Sequence, residues 1–209
     1  MSGIDKVIQK ILEKRLAAPN TRSLLVGISG IDGCGKGFLA KQLEAYLALH
    51  AVTSAIVNVD GWLNLPEKRF DQRAPAENFY ENAIRFEEFF TQLVIPLRER
   101  RSLHLVADFV EERASQYRKH AYDFWDVSVV LVEGIFIFKP QYRKYFDLAI
   151  WVDCSFPTAL ARAIHRAQEG LSAANTIAAY ETIYFPAQRI HLSQDHPRET
   201  ADLIFENNL

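Results

Sequence analysis

The feature that most constrains this chain is an apolar run that stops abruptly in glycine. Ser23-Leu-Leu-Val-Gly-Ile28 is almost unbroken in its apolar character, the pattern of a strand covered on both faces. Gly30-Ile-Asp-Gly33-Cys-Gly35-Lys36-Gly37 follows, and Leu39, Leu43, Tyr46 and Leu47 then fall on one face of a helix. The turn fits the P-loop pattern G-x-x-x-x-G-K-S/T at every position but the last. A phosphate chain is held by backbone N–H groups, so the loop needs residues without obstructing side chains and tolerant of unusual φ. The N-terminus of the following helix adds partial positive charge, and Lys36 reaches the outer phosphates as a point charge. Gly30, Asp32, Gly33, Cys34, Gly35, Lys36, Gly37 and Phe38 are the expected nucleotide contacts.

The rest of the chain repeats the alternation. Ile4, Val7, Ile8, Ile11 and Leu12 predict a helix within residues 1–20. Ser54-Ala-Ile-Val-Asn-Val59, Ser128-Val-Val-Leu-Val132, Leu148-Ala-Ile-Trp-Val152 and Asp202-Leu-Ile-Phe205 read as strands. Helices are expected around Phe86–Leu97, Pro157–Ala167 and Asn175–Leu192, and a loop over Gly61–Pro75. Strands separated by helices at this pitch mean βαβ units, an α/β fold with a mainly parallel sheet and helices on both faces. Ligands then sit beyond the carboxyl ends of the strands.

Composition narrows the class. The chain has 209 residues, 49% hydrophobic and 24% charged, which suits one globular domain over 1–209. A formal net charge of -2 supplies no global basic field, so no nucleic-acid partner is expected. No apolar run reaches the roughly 18 residues of a membrane helix, and the N-terminus lacks a signal-peptide core, so a cytoplasmic location is expected. Cys34 and Cys154 are too few for a disulfide framework or a cysteine-based zinc site. Cys34, opening the P-loop helix, is either a small filler or a thiol of lowered pKa. Homo-oligomerisation stays open.

Three kinds of polar residue fall at the active edge. Asp60 follows the second strand, where a carboxylate can accept the proton of an attacking hydroxyl. Glu133 ends the strand Val130-Leu-Val-Glu133, a position suited to holding Mg²⁺ through water, with Asp60 beside it. Asp153 ends Ile150-Trp-Val-Asp153 in the same way and reads as a turn residue. Arg162 and Arg166 share a helix face ahead of Gln168-Glu-Gly170-Leu-Ser172, and residues 162–175 form a candidate lid whose arginines can clamp a transferring phosphoryl group. Gly37 departs from the pattern, because the usual serine or threonine hydroxyl coordinates Mg²⁺ and glycine has none. No lysine lies in an N/T-K-x-D guanine-reading motif, which argues against a GTPase.

These residues, in this order, resemble the uridine kinase family of P-loop kinases, within the wider group that contains phosphoribulokinase and bacterial pantothenate kinase. The resemblance runs from about Ser23 to Asn207. It is carried by Gly27-Ile-Ser-Gly-Ile-Asp-Gly-Cys-Gly-Lys36, Asp60-Gly-Trp62, Val130-Leu-Val-Glu-Gly-Ile135 with Phe138, and Asp147-Leu-Ala-Ile-Trp-Val-Asp153. It implies the P-loop nucleoside-triphosphate hydrolase fold with a five-stranded sheet, ATP as donor, Mg²⁺, Asp60 as base, Glu133 as magnesium-shell acid, and Arg162 and Arg166 as lid arginines. On the acceptor side the chain departs from the family. The tyrosine of the family's tyrosine-aspartate-phenylalanine stretch is replaced in Ala107-Asp108-Phe109, its histidine is absent, and Asn78-Phe79-Tyr80-Glu81 lacks an aspartate that would hold ribose hydroxyls. Trp62, Phe79, Tyr80 and Asp108 are the expected acceptor contacts, since aromatic walls suit a flat base. The reading is ATP-dependent phosphoryl transfer to a hydroxyl of a small, nucleoside-like molecule. Another acceptor, such as pantothenate or a sugar phosphate, and a non-catalytic ATP-binding regulator are the alternatives.

Overall fold

The computed structural model describes residues 3–111, 114–166 and 171–208. In chain order it contains α1 (Gly3–Ala17), β1 (Leu24–Gly30), α2 (Lys36–Leu49), β2 (Ser54–Asn58), a 3₁₀ turn (Val59–Trp62), α3 (Pro66–Arg69) and α4 (Pro75–Asn82). Next come α5 (Phe86–Glu88), a π-helical stretch (Phe89–Val94) running into α6 (Ile95–Arg100), β3 (Leu103–Phe109), β4 (Arg118–Phe124) and β5 (Val129–Glu133). The remainder is α7 (Pro140–Arg143), β6 (Leu148–Asp153), α8 (Phe156–Arg166), α9 (Ala173–Ala179), a second π stretch (Tyr180–Tyr184), α10 (Phe185–Asp195) and β7 (Leu203–Glu206).

Five strands form one sheet in the order β2-β5-β1-β6-β7, and every pairing within it is parallel. All seven residues of β1 and all five of β5 are buried, so both faces of the sheet centre are covered, as the unbroken apolar runs predict. Buried side chains of β1, β5, β6, α1 and α2 join one continuous hydrophobic cluster. Arg22 donates to both carboxylate oxygens of Asp147, at 2.8 and 3.0 Å, and Arg98 adds a third contact at 3.1 Å. Asp147 also accepts the Leu25 N–H, which ties β1 to the start of β6 at the edge opposite the P-loop.

Both π stretches have the same cause. Each ends two residues before a proline, Pro96 or Pro186, whose ring cannot sit over the carbonyl four residues earlier in a regular α-helix. Widening the preceding turn relieves that clash.

Several elements lie outside the sequence reading, among them α4, α7 and a hairpin. β3 and β4 pair antiparallel, Leu103 opposite Phe124 and Phe109 opposite Arg118, as a separate two-stranded sheet. The expected loop over Gly61–Pro75 also contains the end of the 3₁₀ turn and the short helix α3. The candidate lid divides: α8 ends at Arg166, α9 starts at Ala173, and Gln168-Glu-Gly170 lies outside the described residues. Among the described residues no helix is long and apolar enough to cross a membrane.

Candidate functional site

The carboxyl ends of β1, β2 and β5 open on a cavity of about 1000 Å³. Its floor is the turn from β1 to α2. Gly33 and Gly35 sit at φ 76° and 98°, in the left-handed region, and a Cβ on Gly33 would run into the backbone of Ala159 in α8. Gly35 caps α2 with no side-chain bond, so the first-turn N–H groups of the helix face the cavity without a competing side chain. Asp32 fastens the loop from the other side by accepting from Gln188 Nε2 of α10 at 2.5 Å.

Lys36 is the first residue of α2 and is buried. Its ammonium donates to the carbonyls of Ile31 at 2.9 Å and Gly30 at 3.3 Å, bracing the loop. Burial alone would lower its pKa, but the neighbouring groups Cys34, Asp32, Glu133 and Asp60 outweigh that and hold it above the ordinary lysine value, so the lysine stays charged. Cys34 is buried, and burial pushes its thiol up to about 11 despite the nearby lysine. Of the two readings offered by the sequence, the small filler holds and the lowered pKa does not.

The two carboxylates meet through Asn58. In the parallel register Asn58 lies opposite Glu133. Asn58 Nδ2 donates to Glu133 Oε1 at 2.5 Å, while its Oδ1 accepts the N–H of Asp60 at 2.6 Å and caps the 3₁₀ turn. One amide therefore sets the rotamer of Glu133 and the turn that presents Asp60. Asp60 is exposed to the cavity, and desolvation by the protein around it raises its pKa against the opposing pull of Lys36, Asn58, Arg166 and Arg69. Burial likewise pushes Glu133 up to about 7; Lys36 opposes the shift and Asp60 adds to it.

These residues suit a magnesium ion carried in on phosphates. Asp60 raises the proton affinity of Glu133, and a divalent cation between these carboxylates and the phosphates would add its charge to that of Lys36 and Arg166. Mg²⁺ is usually held by one or two carboxylates plus substrate phosphates, so no larger cage is required. Among the described residues no cluster of three metal-ligating side chains is present. A Cβ on Gly37 would lie 3.4 Å from Glu133 Oε1, so the position that lacks the usual hydroxyl faces this carboxylate directly.

The other expected residues divide between the cavity and its surroundings. Gly33, Gly37, Phe38, Phe79, Arg162 and Arg166 line the cavity, as do the floor residues Asp32, Gly35, Lys36, Asp60 and Glu133. Arg162 also donates from Nη1 to the Cys34 carbonyl at 3.3 Å and lies 3.6 Å from Cys154 Sγ. Gly30 and Cys34 support the loop from behind. Trp62 does not line the cavity: it is fully buried and stacks on Tyr122 with ring centroids 5.9 Å apart. Tyr80 follows Phe79 on α4 and so points about 100° around the helix; its hydroxyl donates to Asp195 at 2.6 Å, away from the cavity. Asp108 pairs with Lys119 at 2.7 Å on the outer face of the β3–β4 hairpin. Three of the four expected acceptor contacts thus lie outside the wall. The wall residues the sequence reading missed are Phe109, Tyr122, Phe124, Arg69, Tyr180 and Tyr184. Residues of one strand face alternate, and His120, Tyr122 and Phe124 alternate with Lys119, Ala121 and Asp123, which is the signal that would have found the hairpin.

A parallel sheet with a glycine turn and lysine at its central strand, and acids on the strands beside it, defines a P-loop nucleotide-binding fold. The chain belongs to the Phosphoribulokinase / Uridine kinase family, whose profile matches residues 25–184; these are P-loop kinases acting on small molecules, in general with ATP and Mg²⁺. No curated protein matches the sequence. Solved structures share the fold. A possible uridine kinase from Bacillus stearothermophilus is 22% identical with a TM-score of 0.75, over 97% of each chain. A candidate fructose transport system kinase from Silicibacter sp. TM1040 is 20% identical at 0.73, over 98% of each chain. A D-glycerate 3-kinase from Cryptococcus neoformans is 13% identical at 0.64, over 88% of this chain and 87% of its own.

Proposed function

We propose that this protein transfers the terminal phosphoryl group of ATP to a hydroxyl of a small, flat, nucleoside-like acceptor. The observation that carries the reading is the polarity of this cavity. Lys36, Asp60 and Glu133 gather at the strand ends, and Phe79, Phe109, Tyr122 and Phe124 wall the remainder. In this reading the loop amides from Gly33 to Gly37 bind the phosphates, and Lys36 exchanges its two loop carbonyls for phosphate oxygens. Asp60 accepts the proton of the acceptor hydroxyl, a task that its raised pKa suits. Glu133, oriented by Asn58, holds the magnesium shell, and Arg166 adds positive charge above the two acids. Bound Mg²⁺ would neutralise charge on the phosphates. The aromatic wall supports a planar acceptor, and the Bacillus structure's name points the same way.

A second reading, a nucleotide-binding regulator without turnover, is favoured by one observation: Gly37 brings no hydroxyl to the metal. The test is Mg²⁺-dependent ADP release on adding a panel of nucleosides, pantothenate, sugar phosphates and glycerate. Release stimulated by a nucleoside supports the proposal. Release with only a non-aromatic acceptor rejects the nucleoside-like class, and tight ATP binding with no release from any acceptor favours the regulator.

A further inference from the structure

The last strand reaches back to the phosphate loop. The N–H of Asn207 donates to Asp153 O at 2.9 Å, which continues the β6–β7 ladder and satisfies the main chain. Its side chain is therefore not needed to finish the strand. It leaves the sheet, and Nδ2 donates to the carbonyl of Cys34 at 2.7 Å, the same carbonyl that accepts from Arg162 Nη1 at 3.3 Å. The next residue is fastened too, because Asn208 Oδ1 accepts the N–H of Ser155 at 3.0 Å.

From this we infer that Asn207 is a positioning residue which sets the orientation of the Cys34–Gly35 peptide and so aims the Gly35 amide at the phosphates. The inference rests on the phosphate-site reading of the loop. No peptide bond in the described chain is cis, and in a planar trans peptide the C=O and the following N–H point in opposite directions. Two donors fix the direction of the Cys34 carbonyl and so fix the opposite direction of the N–H of Gly35, a residue that lines the cavity. The pin has a rotation to oppose. Gly35 sits at φ 98° with no side chain to restrict it, so this peptide is open to flipping. The same Nδ2 also borders Gly35: a Cβ there would lie 2.5 Å from it. The amide of Asn207 therefore lies directly against the glycine whose N–H it orients, and Gly35 is required both for its φ and for this contact.

The experiment is calorimetric titration of ATP and of inorganic tripolyphosphate into the full chain and its Asn207→Ala and Asn207→Asp variants, with the Gly35 amide resonance followed by NMR. Losing one neutral hydrogen bond should weaken both ligands by about 2- to 10-fold. Asn207→Asp keeps the size but sets a carboxylate oxygen against the Cys34 carbonyl, so it should weaken binding at least as much. It carries the test if the alanine variant melts too low. The Gly35 resonance should shift on adding tripolyphosphate to the parent chain and shift less in either variant. A purely structural role would lower the melting temperature and leave tripolyphosphate affinity and the Gly35 shift unchanged, which overturns the inference while the phosphate site stands. If the parent chain binds neither ATP nor tripolyphosphate, the phosphate-site reading fails and the positioning role fails with it.

Discussion

The two ends of the cavity are built from different materials. The end proposed for the phosphates is made largely of backbone, with two left-handed glycines, the N-terminus of α2 and carbonyls held by Lys36, Arg162 and Asn207. The end proposed for the acceptor is made of side chains from the β3–β4 hairpin, α3, α4 and the second π stretch, elements far apart in the sequence. A backbone cradle reads a group that every nucleoside triphosphate shares. A side-chain wall can be rebuilt residue by residue without disturbing the cradle. On the proposed reading, substitutions at one end should alter acceptor binding and leave ATP binding alone.

The largest effect is expected where the two ends meet. Asp60→Asn keeps the shape but removes proton acceptance, so turnover should fall by roughly 10²–10⁴ while ATP affinity stays nearly unchanged. Steady-state kinetics with calorimetry checks this, and near-normal turnover would remove Asp60 from the role of base. A smaller effect should come from the wall alone. Tyr122→Ala opens the hairpin face and uncovers Trp62, so acceptor KM should rise by about 3- to 10-fold with ATP affinity unaltered. A parallel loss of ATP affinity would break the division between the two ends. The smallest effect belongs to Gly37. A Cβ there makes only a close contact with Glu133, so serine should be accommodated and tighten ATP binding a few-fold in the presence of Mg²⁺. It should change metal-free binding less. Equal changes in both titrations would place the metal away from Gly37.

The same division governs how much could be read from the sequence. Backbone chemistry leaves local marks. Glycines at fixed spacing, a lysine at a helix start and acids closing β-branched runs mark the turn after β1, the strand-end positions of Asp60 and Glu133, and the five sheet strands within a residue or two. Long-range packing leaves fainter ones. Trp62 and Tyr80 have the right chemistry for a wall, but their direction depends on Phe89 and Tyr122 in one case and Asp195 in the other, partners remote in sequence. The hairpin was hidden because a dense set of aromatics reads as core until its two-residue alternation is counted. Asn207 carries no local sign of its contact with Cys34, 173 positions away.

The central claim is that the Gly30–Lys36 loop binds the phosphates of ATP, and Lys36→Ala tests it most directly. Calorimetric titration of ATP should show about ten- to a hundredfold weaker binding, the loss of a charge-assisted contact, with the variant still folded by circular dichroism. ATP affinity unchanged in a folded Lys36→Ala protein would contradict the account.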